Sequence, residues 1–320
     1  MPRELKELFT KLSDPSNNSI DILWDFLMEL WGEGARKVSN QEWSVREYYN
    51  RCGLHGSLME RQLEKFFFEI YHYLLEETKK KPRLPALFPQ QIPTVVIMDS
   101  MSLREAALLA EEVGSHGYTV KEFTYETSAA PSDTDLYREK VFGVKGLDRL
   151  RRLESFETIA ITQERDLDTV RSVSGPTLIW SGFPDNLFEA GGLSYDSVYE
   201  KTKEVLSSIL KLKLETIVVT SDHGYLAESE RWGLPDKHSK LLQRTFKANR
   251  WAPKNKLKAN ILEWIEGLPE ETSYFVSDEE YIYVRGKYMW MTRGKLPTSF
   301  HGGISPMEVL TPFMILGRET

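Results

Sequence analysis

Three short segments carry side chains suited to holding a divalent cation: Asp99, the run Ser221-Asp222-His223-Gly224, and the run His301-Gly302-Gly303. A carboxylate followed at once by an imidazole offers one oxygen and one nitrogen donor, a set that suits zinc or manganese. The glycine after His223 lets backbone approach closely. Taken singly, each segment has a plainer reading. An aspartate after a strand is most often a helix cap, Asp-His-Gly a turn and His-Gly-Gly a loop. Together and in this order they predict a metal site. A basic run shortly after His223 contains His238 and Arg244. It could receive an anionic substrate, or it could be an ordinary solvated surface.

The elements that must position these residues follow from hydrophobic periodicity. Residues 94–98 read as a short buried strand that ends at Asp99. Ser102-Leu103-Arg104-Glu105 is a capping-box pattern, and it opens a helix to about residue 113. Residues 118–125, 158–161 and 177–180 read as strands, and 195–212 as a helix leading into the clearest strand, 216–220. Asp222 stands just past its end. Strands alternating with helices predict an α/β fold: a mostly parallel sheet covered by helices on both faces, with ligands at the carboxyl ends of the strands. Residues 273–293 break the rhythm and predict a β-hairpin insertion, with turns at Asp278-Glu279 and Arg285-Gly286-Lys287. Residues 307–316 read as a last strand.

Residues 1–85 read as a helical region. Ile20, Leu23, Phe26, Leu27, Leu30 and Trp31 form one apolar face, and a second pattern spans 58–77, with a loop expected at 50–56 between them. Pro82, Pro85, Pro89 and Pro93 mark a linker at 86–93, before an α/β domain over 94–320. The chain has 320 residues, 41% hydrophobic and 28% charged, with a net charge of −7. That balance argues against a mainly electrostatic nucleic-acid binder. The single cysteine, Cys52, forms no intrachain disulfide and fits a reducing compartment. The first residues lack the apolar core of a signal peptide, and no run approaches the ~18 apolar residues of a membrane span. A soluble cytoplasmic protein is the expectation.

Three runs together resemble the PglZ branch of the alkaline phosphatase superfamily: Val95-Val96-Ile97-Met98-Asp99, Thr220-Ser221-Asp222-His223-Gly224-Tyr225, and His301-Gly302-Gly303-Ile304-Ser305-Pro306-Met307-Glu308-Val309. The resemblance leaves the helical region uncovered. It implies an alkaline-phosphatase-like fold with two divalent metal ions, zinc or manganese in the first place and magnesium as a further choice. Ala130-Pro131-Ser132-Asp133-Thr134 resembles the family's Pro-Ser-x-Thr segment, which implies Thr134 as nucleophile; Ser128 and Ser132 are nearby alternatives. The first ion would take Asp99, Asp222 and His223. The second would take His301 with Asp185 and Glu189, where the superfamily usually has a histidine in place of Glu189. A glutamate there implies a shift from zinc toward manganese or magnesium. Arg104 stands further from Asp99 than the family's arginine and reads as a solvated helix residue. The implied activity is hydrolysis of a phosphomonoester or phosphodiester through a phospho-Thr134 intermediate. The implied partners are other proteins of a phage-defence system, while the acidic composition offers no support for DNA contact. The alternative is a catalytically degenerate member, an interaction or scaffold subunit whose helical region docks a partner.

Overall fold

The computed structural model describes residues 3–14, 16–170, 173, 175–247, 249–290 and 298–319. Four helices come first: α1 (Arg3–Leu12), α2 (Ser19–Ser39), α3 (Val45–Phe66) and α4 (Ile70–Thr78). Asn18 caps α2 through Ile20 N–H, and Ser44 and Glu47 form a reciprocal capping box on α3. Helix α3 runs straight through 50–56, where a loop was expected. Gly53 serves close approach and not a turn: a Cβ there would lie 2.9 Å from Glu230 Oε1. The apolar run over 58–77 is instead broken at Phe67 (φ −152°, ψ 53°), after which α4 starts afresh. The expected linker carries one helical turn, α5 (Leu84–Leu87), and Leu84, Phe88 and Ile92 are buried against the sheet.

The remaining helices are α6 (Leu103–Glu112), α7 (Thr134–Phe142), α8 (Leu147–Leu150), α9 (Asp185–Ala190), α10 (Tyr195–Leu210), α11 (Asp236–Phe246), α12 (Ala259–Glu266) and α13 (Pro306–Val309). The strands are β1 (Thr94–Met98), β2 (Tyr118–Thr127), β3 (Glu157–Ile161), β4 (Thr177–Ser181), β5 (Thr216–Thr220), β6 (Leu226–Ala227), β7 (Trp251–Pro253), β8 (Phe275–Ser277), β9 (Tyr281–Val284), β10 (Ser299–Phe300) and β11 (Leu310–Arg318). The main sheet has the order β2-β11-β5-β1-β4-β3, with β5, β1, β4 and β3 parallel and β11 antiparallel to both of its neighbours. Its two faces are both covered, as alternation along β1 demonstrates. Val96 and Met98 belong to one hydrophobic cluster with Leu23, Leu27, Trp31 and Leu103, whereas Val95 and Ile97 belong to another with Tyr137, Val141 and Leu150. The α/β expectation is met, and the N-terminal helices share the first of these cores with the sheet.

Two readings of polarity and boundary are corrected. Arg104 is not solvated but buried: its Nη2 lies 2.7 Å from Glu230 Oε2 and its Nη1 donates to the Tyr225 carbonyl at 3.0 Å. The guanidinium also sits over the Trp31 and Tyr225 rings, so aromatic and ionic partners surround it where water was expected, although its Nε has no hydrogen bond. The apolar run at 307–316 is not all strand, because Ser305 and Pro306 open the single turn α13 before β11 begins.

Strands β7, β9 and β8 form a small antiparallel sheet over a separate core of Leu242, Phe246, Phe275, Ile282 and Trp290. The β8–β9 hairpin turns at Asp278 as expected, with its carboxylate accepting from Glu280 and Tyr281 N–H. Residues 291–293 of the predicted insertion lie outside the described residues. Among the described residues, no helix is long and apolar enough to cross a membrane.

Candidate metal centre

Parallel pairing brings the acidic residues together. In the β1–β5 register Val96 faces Val219 and Ile97 faces Thr220, so two further residues put Asp99 level with Asp222. On the other side Met98 pairs with Ser181, and beyond β4 the chain turns so that Asp185 N–H donates to the Asp99 carbonyl at 3.2 Å. Ser100 adopts a left-handed conformation (φ 64°), and its N–H donates to Asp222 Oδ1 at 3.1 Å. The third segment arrives through a pairing too short to show in sequence. Strand β10 pairs with β6, Phe300 against Leu226, and this delivers His301 beside His223 with ring centroids 4.1 Å apart.

Asp99, Asp222 and His223 each present a ligand atom within 4.8 Å of the others. Asp222 is fully buried, and its Oδ2 has no hydrogen-bond partner. A buried carboxylate oxygen without a hydrogen bond is costly unless something positive meets it, and His223 Nε2 stands 3.7 Å away. The histidines are oriented for the same purpose. A carbonyl can only accept, so His223 Nδ1–H donates to the Gly224 carbonyl at 3.0 Å and His301 Nδ1–H to the Ser132 carbonyl at 2.8 Å. Each bond leaves Nε2 as the nitrogen that could coordinate a metal, the usual arrangement of metal-binding histidines. Two carboxylates and the His223 imidazole therefore fit a divalent cation, while His301 lies outside this group.

The electrostatics agree. Burial, reinforced by the Asp222 charge, pushes the Asp99 carboxyl well above its usual range, with His223 opposing. Burial pushes the His223 imidazole down, but Asp222 and Asp99 outweigh it and raise the group to about 9. Burial lowers His301, and the neighbouring His223 lowers it further. In metal-free protein, protons hold together a cluster that repels itself without them.

Thr134 opens α7, and its Oγ1 lies 3.3 Å from Asp99 Oδ1 and 3.3 Å from His223 Nε2. The two alternative hydroxyls are engaged elsewhere: Ser132 Oγ accepts from Gly302 N–H at 2.7 Å, and Ser128 Oγ donates to the Ala129 carbonyl. The carboxylates flanking Thr134 are turned aside, Asp133 capping its own helix and Asp135 pairing with Arg138 at 2.9 Å. Asp185 is half-buried and acts by charge on Asp99, His223 and His301. Glu189, one turn on in the same helix, is exposed and lies outside the group of three. His238 is packed on α11 against Trp264 and Tyr274, bonded to the Tyr274 hydroxyl at 3.2 Å, and Arg244 is exposed on the same helix. Both belong to the small sheet's lobe. One residue escaped the sequence reading: Arg138, one turn after Thr134, sits 4.2 Å over the Trp180 ring, and its charge favours ionised Asp99. The i, i+4 spacing from Thr134 was the available signal.

No family model and no curated protein matches the chain. Similar solved structures include murine ectonucleotide pyrophosphatase/phosphodiesterase 5, at 12% identity and TM-score 0.27, over 48% of this chain and 51% of that one. Alkaline phosphatase PafA matches at 12% identity and TM-score 0.27 over 46% of this chain and 42% of its own. Phosphonoacetate hydrolase from Sinorhizobium meliloti 1021 matches at 12% identity and TM-score 0.27 over 71% and 66%. The chain thus spans about half the length of the murine protein. At this identity and overlap the likeness assigns neither a family nor an activity.

Proposed function

We propose that the chain is a divalent-metal-dependent phosphoester hydrolase with Thr134 as nucleophile. Asp99, Asp222 and His223 hold one cation, and His301 with Asp185 contributes to a second. The observation that carries this reading is the Thr134 hydroxyl, 3.3 Å from both Asp99 Oδ1 and His223 Nε2, beside Asp222 Oδ2, which has no hydrogen bond. Bound divalent cations supply charge that cancels the carboxylates, lowers the pKa of a hydroxyl and polarises phosphoryl oxygens. Thr134 Oγ1 forms the bond to phosphorus as the ester P–O bond breaks, and its proton passes to Asp99 Oδ1. The Asp99 side chain keeps 13% exposure, so that proton can leave to water. The departing alkoxide takes a proton from water. A second water then attacks phospho-Thr134, frees phosphate and restores the hydroxyl.

The turned-aside Asp133 and Asp135 leave the approach to Thr134 open to an anion. On the resemblance to PglZ proteins, the proposed setting is a cytoplasmic phage-defence system with other defence proteins as partners. Exposed Glu189 favours a second reading, a degenerate scaffold subunit, because it leaves the second ion short of a ligand. Metal analysis of the purified protein, with turnover of an aryl phosphate and its bis-ester under zinc, manganese and magnesium, separates the two. Bound metal with turnover is expected. Metal-free protein inert under all three ions would leave the scaffold.

A further inference from the structure

We propose that Glu308 is the positioning residue that ties the two histidine-bearing loops to each other, using its carboxylate and its backbone carbonyl at once. The inference rests on the metal-centre reading above. Glu308 is fully buried. Its Oε1 accepts the N–H of Gly303 at 3.0 Å, two residues past His301. Its carbonyl accepts the N–H of Gly224 at 3.0 Å, one residue past His223. The approach is tight enough that a Cβ on Gly224 would lie 2.0 Å from the neighbouring Met307 carbonyl oxygen. One residue therefore sets the spacing between loops that bear stacked imidazoles 78 positions apart in sequence.

The carboxylate is paired there with Arg250. Its Nη1 lies 2.7 Å from Glu308 Oε2, and both side chains have 0% exposure. Arg250 is held in turn by Nη2, which donates to the Gly286 carbonyl at 2.5 Å and the Val284 carbonyl at 3.3 Å. These carbonyls belong to the end of β9 and the turn after it, so the small sheet supplies the cation that keeps the strut in place. That lobe is then a working part of the site. Burial works against the Glu308 charge and Arg250 for it. A glutamine at this position offers one oxygen only: turned to Gly303 it meets Arg250 donor to donor, and turned to Arg250 it releases Gly303.

The test has two arms on the full chain. In metal-free protein, Glu308→Gln is expected to speed amide hydrogen exchange at Gly302 and Gly303 by about tenfold or more, with β1 and β5 unchanged. In manganese titrations followed calorimetrically, Glu308→Gln and His301→Ala are each expected to weaken the second ion by about ten- to a hundredfold. The double variant should bind no more weakly than His301→Ala alone, because both act through the same imidazole. A general loss of stability would add to the His301 effect and would not saturate. If Glu308→Gln does not fold, Arg250→Met/Glu308→Leu removes both charges together and takes both arms. Unchanged exchange at Gly302 and Gly303, or additive losses in the double variant, would overturn the proposal. Absence of manganese binding by the wild-type protein would refute the metal reading, while the exchange arm would still decide the role of Glu308.

Discussion

His301 stacks on His223 with ring centroids 4.1 Å apart and planes inclined by 20°. Asp222 and Asp99 raise His223 against burial, whereas burial lowers His301 and the neighbouring His223 lowers it further. The stack also joins two loops: one ring belongs to the loop after β5, the other to the loop before α13. A cation takes neutral imidazoles, so its binding would displace the His223 proton while each Nδ1 stays fixed on its carbonyl.

Asp222→Asn is expected to abolish metal binding while leaving the fold intact. An asparagine oxygen still accepts from Ser100 and His223 N–H, the two bonds that Asp222 Oδ1 makes. The substitution removes a buried charge, so the melting temperature of metal-free protein should hold or rise. The wild-type protein should gain about 2.7 kcal/mol with metal at a hundredfold excess over its Kd, and the variant none. Retained metal stoichiometry in the variant would refute the ligand assignment.

Thr134→Ala should lower turnover of an aryl phosphate by at least about a thousandfold. Metal content should be retained, because Asp99, Asp222 and His223 remain. Thr134→Ser should keep part of the activity by restoring a hydroxyl. Equal activity in the alanine variant and the wild type would exclude Thr134 as nucleophile.

Glu64→Ala should destabilise the protein by about 3 kcal/mol, since it strands the buried Arg285 guanidinium. Arg285 Nη2 lies 3.0 Å from Glu64 Oε1, with 0% and 9% of the two side chains exposed. Urea unfolding measures the change. A loss near zero would mean that the Glu270 and Glu271 carbonyls, which Arg285 also contacts, hold it alone.

Glu60 predicts a pH dependence. Burial raises its carboxyl to about 7 from the ordinary value of 4.5, with Lys287 at 3.4 Å opposing. A folded-state pKa above the unfolded one gives a contribution fully present below pH 4.5 and lost as pH rises through 7. Its size is on the order of 3 kcal/mol. Glu60→Gln should therefore flatten the fall in stability between these two pH values. Chemical unfolding at pH 5 and pH 8 in both proteins checks it, and equal slopes would count against the assignment.

The strands bearing Asp99 and Asp222, the Ser102 capping box and the covered parallel sheet were legible because each rests on local periodicity or on neighbours a few residues apart. So were the metal-bearing types in Asp222-His223 and His301, since donor chemistry belongs to the side chain itself. The rest depended on distant partners. Gly53 reads as a loop former until Glu230 is seen beside it, and Arg104 reads as solvated until Trp31, Tyr225 and Glu230 enclose it. The two-residue pairing of β6 with β10 carries no periodic signal, yet it delivers His301 to His223. Side-chain type and short-range pattern thus determined which residues could bind a cation and which strands end beside them. Which of them meet, and that Glu308 and Arg250 brace them, was decided by the tertiary structure, because a buried charge finds its partner only when distant segments have packed.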